Sequence, residues 1–269
     1  MDQVYSPFQP LLTTGGQKCF GLSVQEFPAQ KKLAGFVRSY LQVSTLKPTP
    51  YPVMPDGTQA VFISAESIQI GGAQTQAVDI QIHQAGDYFG IWFYPGVLRH
   101  FFKLNVAEIT GQFVDSRFFP CRYFSQLHHR IYQQHDVRSR VDVCEQWLLR
   151  HFSPKAPDLF DMSLNLIYQS TGTIEINMLA KQIGVSRRHL NRLFQQYTGL
   201  STKAFSQIIR IQRACKQLYE KPDNSLEIAA ELGFFDQAHL LREYKRHLLL
   251  SPGLLFKRFM SDFYNKAER

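Results

Sequence analysis

The chain has 269 residues, of which 44% are hydrophobic, and its formal net charge is +8. A chain of this length can form two domains, each with its own hydrophobic core. It contains no apolar run of the roughly 18 residues that a membrane-spanning helix requires, so we expect no contact with a membrane. The segment Met1–Pro7 lacks the basic and apolar regions of a secretory signal, and we therefore expect a cytoplasmic protein.

The positive charge is concentrated in the C-terminal part of the chain. Residues 155–269 carry 17 Lys and Arg against 11 Asp and Glu, which is typical of a surface that binds phosphate groups. The cysteines Cys19, Cys121, Cys144 and Cys215 lie far apart and form no Cys-x-x-Cys pair. This spacing favours reduced thiols over a zinc site or a disulfide framework. The sequence thus predicts neither a metal nor another cofactor.

The N-terminal part of the chain has the patterns of β-strands. Residues 78–82 alternate apolar and polar side chains, which is the period of a half-buried strand. Residues 60–64 and 87–94 are denser runs of aromatic and β-branched residues, which favour buried strands. After Pro95 the apolar residues follow a helical spacing. We expect a β-rich regulatory domain over residues 1–154, barrel-like or sandwich-like, with some helices.

An amphipathic helix is predicted at the end of this domain. Five residues recur at intervals of four, three, four and three and form one apolar stripe along the helix: Val137, Val141, Cys144, Leu148 and His151. The stripe either packs against its own domain or forms the seam of a homodimer through about residues 137–152, and the pattern leaves both open. The segment Ser153–Pro157 contains two prolines and resembles a linker between domains.

A motif that occurs twice is the most informative feature of the C-terminal part. Ala180–Gly184 and Ala229–Gly233 each contain the end of a short helix and a glycine turn. A polar helix follows each turn and includes His189 in the first copy and His239 in the second. A short helix, a turn and a polar helix make up a helix-turn-helix, whose second helix enters the major groove of DNA.

The sequence therefore predicts an all-helical domain over residues 155–269. Its first helix-turn-helix covers about 174–198, its linker helix about 202–220 and its second helix-turn-helix about 225–248. A rigid linker helix would fix the distance between the two recognition helices. Such a spacing suits two successive turns of double-stranded DNA, which lie about 34 Å apart.

The second helix of each unit has one apolar face that must point inward, so its polar residues point outward. Arg, Asn and Gln on such a face can form hydrogen bonds with base edges. Ser186 and Asp236 are placed to cap the two helices. The predicted DNA-binding residues are Arg187, Arg188, Asn191, Arg192 and Gln195 in the first unit and Gln237, Ala238, Leu241, Arg242 and Lys245 in the second.

These motifs resemble the DNA-binding region of the AraC/XylS family of bacterial transcription regulators. The resemblance covers about residues 160–260, and its strongest stretch is Ile228–Arg246, followed by Ser251–Pro252. The resemblance implies, by position, a set of base-reading residues: Arg188, Asn191 and Arg192 in one groove and Gln237 and Arg242 in the next.

One position departs from the family pattern. The family usually has glycine where this chain has Leu249. If the position requires the left-handed conformation, a leucine costs about 1–2 kcal/mol there, and we expect a local distortion of the second unit. The N-terminal half is similar to a sensor-type domain of some AraC-like regulators over Leu33–Tyr40, Met54–Gly57 and Phe93–Gly96.

These features predict a sequence-specific DNA-binding transcription regulator, which is not an enzyme and which acts with the transcription machinery. Its N-terminal domain either responds to a small-molecule effector or mediates dimerisation or another protein contact. A cavity among the strands would favour the effector, and a filled interior would favour the protein partner. The third hypothesis is an enzyme domain with a DNA-binding tail, but His83, His100 and the adjacent pair His128–His129 form no metal-binding pattern.

Overall fold

The computed structural model describes residues 5–118 and 124–250, so that Cys121 and the pair Ser251–Pro252 lie outside the described residues. The N-terminal β-rich domain contains α1 (Thr14–Phe20), β1 (Leu22–Phe27), β2 (Val37–Thr45), β3 (Thr49–Val53), β4 (Gln59–Ile63), β5 (Ile68–Gly71), β6 (Val78–Ile82), β7 (Gly86–Phe93), β8 (Phe113–Asp115), α2 (Phe124–Tyr132) and α3 (Val137–His151). The all-helical C-terminal domain contains α4 (Leu159–Gln169), α5 (Ile176–Ile183), α6 (Arg187–Thr198), α7 (Thr202–Glu220), α8 (Ser225–Glu231) and α9 (Gln237–Leu248). This β-rich and all-helical combination is the fold class that the sequence predicts.

The strands of the described residues form two antiparallel sheets. One sheet has six strands in the order β1-β2-β7-β4-β5-β8, and the other pairs β3 with β6. The dense run at 87–94 corresponds to β7, which lies in the middle of the larger sheet with β2 and β4 on either side. The alternating residues 78–82 form β6, which pairs with β3, a strand that the sequence did not predict.

Helix α3 packs against the six-stranded sheet of its own domain. Cys144 and Leu148 are fully buried, and Val141 lies in the same hydrophobic core. The apolar stripe therefore packs against its own domain, which is one of the two contacts that the sequence left open, and it is not exposed as a dimer seam. Burying each such side chain contributes about 1.5–3 kcal/mol to folding, so α3 is an integral part of this domain.

Helix α7 is the centre of the C-terminal domain. Its buried residues run along its length: the first half packs with α4, α5 and α6, and the second half packs with α8 and α9. Ser201 caps its first turn, with the Ala204 N–H donating to Ser201 Oγ at 3.1 Å. The helix ends before Pro222, as the sequence predicts. No helix of the described residues is long and apolar enough to cross a membrane.

Helix α9 ends at Leu248, and the next residue, Leu249, adopts the left-handed conformation with a φ of 62°. The helix is regular up to this residue, because the Leu249 N–H donates to Lys245 O at 2.9 Å. The expected distortion of the second unit is thus absent from α9. The unfavourable backbone conformation is confined to Leu249 itself.

Candidate nucleic-acid interface

The two predicted recognition helices, α6 and α9, begin at capping residues. Ser186 Oγ accepts a hydrogen bond from the His189 N–H at 3.1 Å, and Asp236 Oδ1 accepts one from the His239 N–H. Each cap satisfies a backbone donor that the first helical turn leaves open. The caps therefore fix where each recognition helix starts.

One face of each recognition helix is fully buried. Leu190 and Phe194 of α6 pack in the core around the first half of α7. Leu240 and Tyr244 of α9 pack in the core around its second half. Because these buried residues fix the rotation of each helix about its axis, they also determine which side chains face the solvent.

The outer face of α6 presents three arginines to solvent. Arg187, Arg188 and Arg192 are all exposed, and the helix contains no acidic residue. Arg192 Nη2 lies 3.1 Å from the Nδ1 atom of His189, one turn before it. This exposed surface is positively charged and rich in the donors that guanine O6 and N7 accept.

Asn191 and Gln195 lie closer to the protein than these arginines. Both side chains are half-buried. Asn191 Oδ1 accepts a hydrogen bond from the Thr202 N–H at 3.1 Å. The amide of Gln195 lies 3.3 Å from Gly199 O and 3.1 Å from the Ser201 nitrogen, and it satisfies both when its NH₂ faces Gly199. Both residues thus hold the turn between α6 and α7, and their role in reading bases stays a prediction.

The outer face of α9 is less charged. Its exposed predicted residues are Gln237, Ala238, Arg242 and Lys245, and Leu241 is half-buried. Gln237 Nε2 donates to Ser225 Oγ at 2.6 Å. Arg242 Nη2 lies 4.0 Å from Asp236 Oδ1, an exposed contact of the kind that contributes little. The Arg242 side chain is therefore able to turn towards a base edge.

The N-terminal domain contacts the helical C-terminal domain at several points that the sequence did not predict. Tyr5 stacks on Tyr168 of α4, with ring centroids 4.7 Å apart. Gln212 of α7 donates through Nε2 to Pro55 O at 2.8 Å. A Cβ at Gly96 would lie 2.4 Å from the ring of Phe160, so only glycine fits at this point of the junction. No local pattern in a sequence reveals such long-range contacts.

A cavity of about 460 Å³ lies between the two sheets of the N-terminal domain. Its walls include Leu41 and Val43 of β2, Phe62 of β4, and Ile80 and Ile82 of β6. Tyr132 of α2 and Arg140 of α3 add polar groups, and the guanidinium of Arg140 lies 5.5 Å from the ring centroid of Tyr132. Mostly apolar walls with a few polar groups are typical of small-molecule sites.

The described residues contain no group of three or more His, Cys, Asp or Glu that could hold a metal ion. His100, one of the histidines in the N-terminal domain, instead lies at the junction between the domains. Its Nδ1 atom accepts a hydrogen bond from the Lys155 N–H at 3.0 Å, and its neighbour Arg99 is a cation. Burial, followed by the charge of Arg99, holds the pKa of His100 below its ordinary value. The hydrogen bond of His100 thus connects the N-terminal domain to the segment that leads into α4.

Two family profiles match the chain. One, described as a helix-turn-helix domain, matches residues 179–258 and includes both α6 and α9. The other, described as a domain of unknown function (DUF6597), matches residues 25–115 of the β-rich domain. The two matches therefore fall on different structural parts of the chain.

Two proteins named as transcription regulators each match about three tenths of the chain. The HTH-type transcriptional regulator MtrA of Neisseria gonorrhoeae is 36% identical over 78 residues, which are 29% of this chain and 26% of MtrA. The probable transcription factor PqrA of Proteus vulgaris is 34% identical over 80 residues, which are 30% of this chain and 66% of PqrA. The chain thus spans between about a quarter and two thirds of these relatives. Their names are those of transcription factors, in agreement with the prediction of a non-enzymatic protein.

The structure of ToxT from Vibrio cholerae O395 aligns over 90% of this chain and 99% of its own, with 10% sequence identity and a TM-score of 0.43.

Proposed function

Because the C-terminal domain of the chain belongs to the AraC/XylS family of transcription regulators, we propose that the protein binds specific DNA sequences and regulates transcription. In this proposal α6 and α9 enter two successive major grooves on one side of the double helix. The protein would act in the cytoplasm, where it meets DNA and the transcription machinery.

The exposed basic face of α6 carries this proposal. Arg188 and Arg192 lie on the side of the helix opposite its buried residues, where they are accessible to a DNA groove. Arg242 and Lys245 occupy the corresponding side of α9. Arginine pairs with guanine through two hydrogen bonds, and lysine adds attraction to phosphate.

Selection of DNA from a random pool with the full chain tests the proposal. The expected result is enrichment of one site with two conserved blocks about 10 base pairs apart, one for each recognition helix. Enrichment of no sequence, or of sites with a single block, would contradict the proposal.

We further propose that the N-terminal domain binds a small-molecule effector in the cavity between its sheets. The cavity favours this hypothesis over an interior used only for protein contact, because about 460 Å³ between the sheets is left unfilled by side chains. Helix α3 also uses its apolar stripe within the domain, which leaves that stripe no role in a homodimer.

A cavity-filling variant tests the effector site. Ile80→Trp on β6 should fill part of the cavity and abolish any change in DNA affinity that small-molecule extracts cause in the parent protein. Leu46→Trp is the matched control, because Leu46 is 96% exposed and is not among the residues that line the cavity. A response that survives in Ile80→Trp would place effector binding elsewhere.

A further inference from the structure

The N-terminal domain holds the C-terminal end of α9 through three hydrogen bonds. The Ala77 N–H donates to His247 O at 2.7 Å. Gln76 Nε2 donates to Arg246 O at 3.0 Å. The ring Nδ1 atom of His247 lies 3.0 Å from Thr75 O, and because a carbonyl only accepts, this Nδ1 carries the proton. The segment just before β6 thus satisfies carbonyls at the end of the second recognition helix.

The same domain also holds the C-terminal end of α6. The hydroxyl of Thr110 lies 3.2 Å from Gly199 O and 3.2 Å from Val106 O, so these two carbonyls share its one proton. Gly199 ends α6 with a φ of 77°, and a Cβ at this residue would lie only 1.9 Å from Thr110 Oγ1. The first recognition helix and the segment around Thr110 are therefore in close contact.

These two contacts come from one continuous edge of the N-terminal domain. The Gly111 N–H donates to Ala73 O at 3.0 Å, and the Gly72 N–H donates to Gln112 O at 3.0 Å. Residues 72–77 and 106–112 are thus hydrogen-bonded to each other. Ala73 is fully buried in the core shared with the first recognition helix, so the edge is packed against the DNA-reading domain.

We propose that this edge, residues 72–77 and 106–112, is a brace that positions both recognition helices relative to each other. The linker helix α7 connects the two units, and the brace adds a hydrogen-bonded contact at the C-terminal end of α6 and at that of α9. These contacts add a second connection between α6 and α9, beside their packing on α7. The brace residues are positioning residues, because none of them lies on the predicted DNA-reading faces.

The brace makes the spacing of the bound DNA site depend on the N-terminal domain. This inference rests on the proposed binding of α6 and α9 to successive grooves. Strand β6 starts immediately after Ala77 and forms part of the cavity wall through Ile80 and Ile82. A ligand in the cavity therefore acts on the same strand that begins at the brace.

Operators of altered spacing test the brace. The parent protein and the double variant Gln76→Ala/Thr110→Val are compared on the selected site and on the same site with one base pair inserted between its two blocks. An inserted pair rotates and shifts the second groove, so the parent should bind the altered site much more weakly. The double variant should discriminate less, by about fivefold for each hydrogen bond removed.

The control variants separate positioning from folding. Thr110→Ser keeps the hydroxyl and should retain the discrimination of the parent. Gln133→Ala removes an exposed glutamine that directly follows α2 and does not line the cavity. The Nε2 atom of Gln133 lies 2.8 Å from His129 Nε2, and this variant should also behave as the parent. If the double variant unfolds, Gln76→Ala alone is measured, because its side chain is exposed.

Equal discrimination by the parent and the folded double variant would overturn the brace and leave the proposed function intact. If the double variant unfolds, the same holds for Gln76→Ala alone. A parent protein that selects no DNA sequence would overturn the proposed function, and the brace with it.

Discussion

The Nη2 atom of Arg99 lies 2.7 Å and 2.6 Å from the two carboxylate oxygens of Asp161, across the junction between the domains. The Arg99 side chain is only 6% exposed. Its guanidinium also lies 4.3 Å from the ring centroid of Tyr197, in the recognition helix α6. A buried cation of the N-terminal domain thus contacts both α6 and the helix that precedes the first helix-turn-helix.

Replacing Arg99 should destabilise the protein. Removing one partner of a fully buried ion pair costs about 3–5 kcal/mol, but Asp161 is 24% exposed, so solvent screening reduces the expected loss for Arg99→Ala to about 2 kcal/mol. Arg99→Lys should lower the stability by a part of this amount, because an ammonium does not stack on Tyr197 as a guanidinium does. Urea unfolding measures both. Arg138→Ala, at an exposed position of α3, is the control, and equal stability of Arg99→Ala and this control would refute the assignment.

Asn191 should contribute to stability as well as to any DNA contact. Asn191→Ala removes the acceptor of the Thr202 N–H, and we expect the free energy of unfolding to fall by about 1 kcal/mol. Asn191→Asp keeps an acceptor oxygen and should retain most of the stability. Thermal unfolding of the two variants without DNA checks this expectation. An Asn191→Ala variant as stable as the parent would leave the residue with a role in DNA binding alone.

Leu249 offers a stabilising substitution. Because its φ of 62° is unfavourable for a residue with a Cβ, Leu249→Gly should raise the free energy of unfolding by about 1 kcal/mol. The leucine side chain is 54% exposed, so little packing is lost. Leu249→Ala keeps the Cβ and should give no such gain. A stability order in which alanine exceeds glycine would contradict this explanation.

His100 should make the stability depend on pH. Burial, followed by the charge of Arg99, lowers its pKa in the folded state, and the opposing effect of Asp161 is smaller than either. Since the folded protein binds this proton less readily than the unfolded chain, stability is fully present above the ordinary histidine pKa of about 6.5. It is lost as the pH falls through the lowered pKa of His100.

The variant His100→Asn isolates this effect. Its side-chain oxygen can replace Nδ1 as the acceptor of the Lys155 N–H, but it does not titrate. Unfolding free energies measured between about pH 7 and about pH 5 should fall less steeply for the variant than for the parent. His83→Asn, at an exposed position, is the control. Parallel curves for the parent and His100→Asn would show that another group causes the pH dependence.

The sequence predicted those parts of the structure that depend on local patterns. The alternation at residues 78–82 corresponds to β6, and the linker helix predicted at about 202–220 corresponds to α7. The caps Ser186 and Asp236 were identifiable because a helix start has its own chemistry. The left-handed residue at the end of α9 followed from the family pattern at Leu249.

The contacts between the domains were not predictable in this way. Thr110 and Gly199 are 89 positions apart, and Gln76 and Arg246 are 170 apart. Each contact uses a backbone carbonyl, which every residue has, so the side-chain sequence gives no sign of it. The half-burial of Asn191 was missed for a related reason, because its partner is the backbone nitrogen of Thr202 in the next helix.

The DNA-reading residues should act separately in the two grooves. Arg192→Ala and Arg242→Ala should each reduce discrimination between specific and random DNA by about 1–3 kcal/mol, with the fold unchanged. Arg138→Ala again serves as the control, since Arg138 lies on α3 of the N-terminal domain. Variants that discriminate as well as the parent would show that these arginines do not contact bases.

Guanine methylation interference on the selected site tests most directly whether both recognition helices read DNA together. For the parent we expect two interfering patches in the major groove, about 10 base pairs apart on one face of the double helix. Arg192→Ala should remove interference from one patch, and Arg242→Ala should remove it from the other. A single patch, two patches on opposite faces, or a pattern that neither substitution changes would contradict the account.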